Sequence, residues 1–481
     1  MDKLYRKYRA QSVGVVLLAL VLAVALNSVF GSALILLTLL GIATAWFFLK
    51  IGFKEKELYI LFSIVLFIYF VSAVFIHYTQ FYPFGGGDID ERVYHAAAVA
   101  IADDLRHGDF SIASMQYQLA KEDVSHWFPV LAGFVYAATL SDVFIGTMLS
   151  VWFVGFSAIL LYLLTRELGS SRKWAFFAGF IGSILPTFLY FGSLLLRESI
   201  VVVLFLLALL FLVKIVKKFS WPKFLAVYVA LGLLISLRFY VGFAILYAFA
   251  LLLPWLGIPN GSQKFRVAFA IFIVLGFLPW ILGYGYYGVS YAKNFLEPRQ
   301  IVAYREFTGD QYIRLPSQAT PQIEQETPSS SQATPQIEQE TPSSSSVGSE
   351  QKKYDQGSLV IVKPDFRNPV VFAKTYLISF SYVLLGPFPW QIRYTRQLFA
   401  LTESIPWLIA FFFIVKGMVR QRRNYRLFLP IILASVILIG GIALLINNYG
   451  TFMRIRIPAF LALLSLLPFA FQKDQKEVET V

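Results

Sequence analysis

Apolar stretches long enough to cross a lipid bilayer recur along this chain, and they constrain its fold more than any other feature. A hydrocarbon core needs roughly 17–25 apolar residues per helix. Spans of that kind lie near Val13–Phe30, Ser32–Leu49, Leu58–Tyr78, Val143–Thr165, Trp174–Tyr190 and Leu196–Val213. Others follow near Phe224–Leu237, Phe239–Trp255, Val267–Tyr284, Leu398–Val415, Leu427–Ile446 and Ile457–Phe471. The predicted fold is an all-α polytopic membrane protein with about twelve transmembrane helices. Composition agrees: 58% of the 481 residues are apolar and only 14% are charged. That is too little polar surface for a soluble chain of this length.

The formal net charge is +13. In a soluble protein such an excess would suggest nucleic-acid binding. Here the basic residues sit at the ends of apolar spans, so topology accounts for them and no nucleic-acid partner is expected. The absence of cysteine rules out a disulfide, a thiolate nucleophile or a Cys-ligated zinc. Four histidines without an HExxH or close His pair argue against a catalytic transition-metal site. The expected cofactor is none, with a divalent cation as the one addition the acidic residues could hold.

Basic loops set the orientation. Lys50, Lys54 and Lys56 follow the second span, Arg166, Arg172 and Lys173 the fourth, and Lys214, Lys217 and Lys218 the sixth. Lys264 and Arg266 precede the ninth, and Lys416, Arg420, Arg422, Arg423 and Arg426 follow the tenth. The positive-inside rule places all of these, and both termini, in the cytoplasm of a multi-pass cell-membrane protein. The first span follows Lys3, Arg6, Lys7 and Arg9 and is read as retained rather than cleaved. The shorter apolar stretches Trp127–Leu140 and Val370–Leu385 would break this alternation if they crossed, so they are expected to lie at the outer interface.

Four regions follow from this reading. Residues 1–56 form an N-terminal transmembrane hairpin, and residues 57–284 a transmembrane core with a first outer loop at 79–142. Residues 285–397 form a second outer loop, and residues 398–481 the C-terminal helices. In the second outer loop, Ser317–Ser330 and Ser331–Ser344 repeat SQATPQIEQETPSS perfectly. With almost nothing to bury, residues 317–346 are expected to be a disordered spacer without chemistry.

Ionisable residues gather at the outer ends of spans. The first outer loop carries Asp88, Asp90, Glu91, Arg92, Asp103, Asp104, Arg106 and Asp109. Arg197 and Glu198 open the sixth span, Arg238 lies between the seventh and eighth, and Lys374, Arg393, Arg396 and Glu403 flank Pro387–Pro389. Arg454 and Arg456 open the last span. Arginines on the outer side run against the positive-inside trend and need another role. Pairing with carboxylates or lipid head groups is one; an anion site shared with carboxylates is the other. A guanidinium suits phosphate because its planar fork donates two parallel hydrogen bonds.

Within the first loop, Gly85-Gly86-Gly87 supplies a turn before a helix beginning near Asp88. Helix capping accounts for one carboxylate there, but not for Asp88, Asp90 and Glu91 together. Asp90 and Tyr94 lie four apart, on one helical face.

Asp90-Glu91-x-x-Tyr94, the Ala-rich helix to Gly108-Asp109, His126-Trp127-Phe128-Pro129, Arg166-Glu167-Leu168-Gly169, Pro186 and Glu198 together carry a family likeness. Over residues 57–215 the chain resembles the GT-C membrane glycosyltransferases, in the branch of protein O-mannosyltransferases and lipid A aminoarabinose transferases. Two spans precede the acidic loop where the family usually has one, so Val13–Leu49 reads as an added hairpin. The family's basic-Pro-Pro is reduced to His126 and a single Pro129.

The resemblance implies transfer of a sugar from a polyprenyl phosphate carrier to a glycan, lipid or protein acceptor on the extracytoplasmic side. Asp90 falls on the family's catalytic carboxylate and would be the general base, with inversion at the anomeric carbon. Glu91 would orient the acceptor or hold a cation, and Asp88 is the substitute base. Tyr94, His126, Glu198 and Arg393 would line the substrate site, with Arg197, Arg238, Arg454 and Arg456 on the phosphate. Two other readings stay open. A polysaccharide polymerase or ligase would also use outer arginines and a long outer loop. A lipid-linked sugar flippase or transporter would instead place paired charges near the membrane midplane.

Overall fold

The computed structural model describes residues 24–25, 27–83, 87–252, 263, 267, 368–391, 398–446 and 449–472. Most of Val13–Phe30, nearly all of Val267–Tyr284, the tandem repeat and Arg393 lie outside the described residues. The described residues are helical, without strands. In chain order the helices are α1 (Ser28–Lys50), α2 (Lys56–Thr79), α3 (Gly87–Arg106), α4 (Ile112–Lys121), α5 (Phe128–Ala138) and α6 (Val143–Glu167). Next come α7 (Arg172–Ser183), α8 (Pro186–Phe191), α9 (Glu198–Lys217), α10 (Trp221–Leu237) and α11 (Phe239–Leu252). After the intervening segment follow α12 (Pro369–Leu385), α13 (Leu398–Arg420), α14 (Tyr425–Leu445), α15 (Tyr449–Ile455) and α16 (Ile457–Leu464).

Among the described residues, α1, α2, α6, α9, α13 and α14 are long and apolar enough to cross a membrane. Five shorter apolar helices accompany them, including α5 and α12. These are the elements of a membrane-embedded protein. Local chemistry explains where several begin and end. Asn27 accepts the Phe30 N–H at 3.0 Å to start α1, and Asp142 accepts the Phe144 N–H at 2.8 Å to start α6. Gly169, at φ 103°, supplies the left-handed residue that ends α6.

The helices form an inner pair and an outer set. In α6 and α9, 83% of the most apolar stretch is buried, against 22% in α1 and 33% in α2. Helix α6 packs against α1, α2, α7 and α9; α9 in turn packs against α10, α14 and α16. Gly155 lets α2 come close to α6: a Cβ there would meet Phe62 and Leu66 at 2.8 Å. The outer faces of α1 and α2 carry exposed Leu39, Ile42, Phe67 and Phe75, a surface suited to hydrocarbon rather than water.

The expected span Trp174–Tyr190 is not one helix. Pro186 has no N–H to donate and holds Leu185 extended (φ −56°, ψ 126°), so the chain breaks into α7 and α8. An unbroken helix would bond the Thr187 N–H to the Ser183 carbonyl. Here the Tyr69 hydroxyl of α2 donates to the Ser183 carbonyl at 2.7 Å, and the Thr187 N–H donates to Glu403 Oε2 of α13 at 2.9 Å. Neighbouring helices thus satisfy the groups the proline released, as a non-aqueous interior requires. The last expected span is also interrupted: α16 ends at Leu464, and Leu467–Ala470 continues as a 3-10 turn around Pro468.

At one end of the bundle, basic residues read as topological markers have specific partners. Glu55 bonds Arg172 at 3.1 Å and Arg166 at 3.4 Å, and accepts from the Tyr162 hydroxyl. Lys217 pairs with Glu167 at 3.1 Å. These links tie the α1–α2 turn to α6 and α7, and α6 to α9.

Candidate functional site

At the start of α9 three elements bring their charges together. Arg197 is the N-cap of α9 and Glu198 its first residue. Arg238, extended at φ −149° and ψ 91°, is the C-cap of α10, and Arg454 lies in the last turn of α15. Glu198 Oε1 accepts from both Arg238 Nη2 and Arg454 Nε. Arg454 then reaches across to α3, where its Nη1 donates to Asp90 Oδ2 at 2.5 Å. Asp90 and Arg454 are 364 positions apart in the chain.

The two carboxylates differ in setting. Glu198 is 3% exposed, whereas the Asp90 side chain is 41% exposed. Burying a charge costs several kcal/mol unless its partners hold it well. Two guanidiniums on Glu198 meet that requirement, and Asp90 lies at the open edge of the group. Arg238 also donates through Nη1 to the Tyr240 hydroxyl at 2.8 Å. The Arg454 guanidinium lies 5.8 Å from the centre of the Phe191 ring.

Three residues complete the surroundings. Arg197 donates through Nη1 to the Leu237 carbonyl at 2.9 Å and makes no ion pair among the described residues. Tyr94 is buried, with its ring edge-on to His126 at 4.8 Å and to Phe128 at 6.0 Å. Burial raises the Tyr94 hydroxyl above its ordinary pKa. Burial, reinforced by the Arg197, Arg238 and Arg454 guanidiniums, pushes the His126 imidazole down to about 2. His126 is therefore a neutral ring at ordinary pH. Its neighbours pin it: the Trp127 indole donates to Ser236 Oγ at 2.7 Å, and Phe128 opens α5 fully buried.

Several polar atoms in this group are buried without a hydrogen-bond partner among the described residues: Arg197 Nε, Arg238 Nε, Glu198 Oε2 and His126 Nδ1. Buried polar atoms without partners are rare in folded proteins. Their concentration around one ion-pair network fits a place that a polar ligand completes.

A second buried network stands close by in sequence. Arg456 Nη1 donates to the Val383 carbonyl at 2.8 Å and the Gly386 carbonyl at 2.7 Å, and its Nη2 bonds Glu403 Oε1 at 3.1 Å. Glu403 Oε2 accepts from both the N–H and the hydroxyl of Thr187. The guanidinium also lies 4.4 Å from the Phe460 ring centre. Both charged side chains are fully buried. This network joins α8, α12, α13 and the start of α16.

The residues picked from sequence thus divide. Asp90, Glu198, Arg238 and Arg454 meet directly, and Arg197, Tyr94 and His126 adjoin them. Glu91 is buried and accepts the Leu195 N–H at 2.7 Å, tying α3 to the turn before α9. Arg456 stands apart in the second network. Asp88 lies in the first turn of α3 with its side chain outside the described residues, as is Arg393 altogether. Sequence reasoning left Glu403 without a role and missed Thr187 and Tyr240. Tyr240, two residues after Arg238, carried a local signal; Thr187 carried only its place after Pro186. Among the described residues, no three His, Cys, Asp or Glu side chains are grouped to hold a metal ion.

Compared with protein-family models, curated proteins and solved structures, the chain finds no match.

Proposed function

We propose that this chain is a membrane glycosyltransferase that takes a sugar from a polyprenyl phosphate carrier and passes it to an acceptor on the extracytoplasmic side. In this reading both termini are cytoplasmic, and α3, α4 and α5 belong to the first outer loop. The observation that carries the proposal is the meeting of Asp90, Glu198, Arg238 and Arg454 beside an Arg197 that has no ion-pair partner among the described residues. A carboxylate at the open edge of a guanidinium cluster supplies both groups that the transfer needs.

The chemistry follows from those groups. Asp90 takes the proton from the acceptor nucleophile as that atom attacks the anomeric carbon from the face opposite the phosphate. The bond between the anomeric carbon and the phosphate oxygen breaks, and its electron pair leaves with the oxygen. The carrier phosphate passes from a diester to a monoester and gains one negative charge. Arg197, Arg238 and Arg454 are the guanidiniums that would neutralise that growing charge before solvent has to reorganise. A leaving phosphate needs no protonation, so one base suffices. Arg456, with its guanidinium engaged at Val383, Gly386 and Glu403, is assigned to scaffold in this proposal.

The test is transfer from a labelled polyprenyl-phosphate sugar by the purified protein. Asp90→Asn is expected to lower turnover by about a hundredfold or more without weakening donor binding. Asn preserves the size and shape of the side chain and removes its basicity. If the Asn variant turned over like the wild type, Asp90 would not be the base and Asp88→Asn would test the substitute; if both variants kept full activity, a polymerase, ligase or transporter reading of the same arginines would take its place.

A further inference from the structure

Arg454 has two hydrogen-bonding edges, and each is engaged at one nitrogen. Its Nε is committed to Glu198 Oε1, while Nη1 holds Asp90 Oδ2 at 2.5 Å. The end-on pair of Nη1 and Nη2 is the edge left for a bidentate phosphate. Asp90 engages Nη1 of that pair. An anion that takes both Nη1 and Nη2 therefore competes with Asp90 for Nη1.

The competition has a clear direction. Glu198 is almost completely buried and bridges two guanidiniums, so removing it would leave charges stranded in the interior. The Asp90 side chain is 41% exposed, and water can receive its carboxylate once it lets go. Glu198 is the fixed partner of Arg454, and Asp90 is the exchangeable one.

We infer that Asp90 and the phosphate of the carrier lipid compete for Arg454, so that the empty site restrains its own base and an arriving phosphate releases it. The inference rests on the reading of Asp90 as base and of the carrier as the anion. Arg454 then has two partners in turn. It holds the carboxylate while no donor is present and transfers its fork to the phosphate when one arrives. Asp90 becomes available to the acceptor only after the donor is in place. Binding is ordered, with the donor first, and an acceptor cannot be activated at an empty site.

This makes an unusual demand on binding: removing a site carboxylate tightens the lipid. The probe is polyprenyl phosphate without sugar, titrated into the full-length purified protein. Asp90→Asn and Asp90→Ser are expected to bind it about threefold to tenfold more tightly than wild type, the scale of a partly exposed ion pair. In an Arg454→Gln background the same substitutions should change nothing, because the contested guanidinium is gone. A merely structural role for Asp90 would not tighten binding in either variant. Wild-type binding with equal or weaker binding by both Asp90 variants overturns the competition and leaves the donor reading standing. No binding of polyprenyl phosphate by the wild type overturns the donor reading, and the competition with it.

Discussion

Arg454 and Arg456 are two residues apart and both almost fully buried, yet they end in networks of different character. Arg456 lies in a closed set: two carbonyls and Glu403 take its guanidinium, and Thr187 takes the other Glu403 oxygen. Arg454 lies in an open one. Its second carboxylate partner is the 41% exposed Asp90, and Glu198 Oε2, Arg197 Nε and His126 Nδ1 nearby have no partner among the described residues. The contrast separates two uses of a buried charge. A network whose two charged side chains are both sealed from solvent fixes the packing of helices. One that keeps a half-exposed carboxylate at its edge is arranged for something that comes and goes.

Breaking the closed network should have the largest effect. Glu403→Ala leaves Arg456 without its carboxylate and Thr187 without its acceptor, deep in the protein. Loss of one member of a buried pair costs about 3–5 kcal/mol, so the variant is expected to melt far below wild type or fail to yield folded protein. Replacing both partners, Glu403→Leu with Arg456→Met, should recover much of that stability, since no charge is then stranded. An Ala variant as stable as wild type in a thermal melt would mean that this network does not hold the bundle.

Arg197→Ala probes the open network. Arg197 contributes one hydrogen bond to the Leu237 carbonyl and no ion pair among the described residues, so the melting temperature should barely move. If the site takes a phosphate, loss of a charge-assisted contact costs about 1.5–3 kcal/mol, or some tenfold to hundredfold in affinity for polyprenyl phosphate. The opposite pattern, lower stability with unchanged affinity, would erase the distinction between the two arginine networks.

The smallest effect comes from His126. Its folded imidazole is held down to about 2, while the unfolded ring titrates near an ordinary histidine value of about 6.5. As pH falls below about 6.5 the unfolded state takes up a proton that the folded state refuses. Stability from this site is therefore whole above that pH and declines steadily as the medium is acidified. One pH unit below, the loss is about 1.4 kcal/mol. His126→Gln should flatten this part of the slope in melts compared at pH 5.5 and 7.5. A variant that kept the wild-type slope would show that the ring is not held neutral by burial and the three guanidiniums.

Much of the helical framework was legible beforehand because hydrocarbon length and helix caps are local. Lys56–Thr79, Val143–Glu167 and Tyr425–Leu445 lie within a few residues of their expected limits. Trp174–Tyr190 failed because apolarity is continuous across it while hydrogen bonding is not. Pro186 interrupts the ladder, and Tyr69 and Glu403, distant in sequence, make the interruption tolerable. Arg166 and Arg172 were read from charge alone, and charge gives a side of the membrane but no partner. Glu55 is that partner.

The class of fold and the short roster of charged residues that an apolar chain has to account for could be read from the order of amino acids. Both follow from composition and spacing, which act over a few turns of helix. The pairing came only with helix packing: Arg454 with Asp90 and Glu198, Arg456 with Glu403, and Arg197 in no ion pair among the described residues. The physical reason is range. A hydrogen-bonded ion pair requires atoms within about 3 Å, and residues 364 positions apart reach that distance only after the helices between them have packed. Two arginines alike in sequence and neighbourhood were therefore indistinguishable until the packing of α8, α9, α13 and α15 gave each its own surroundings.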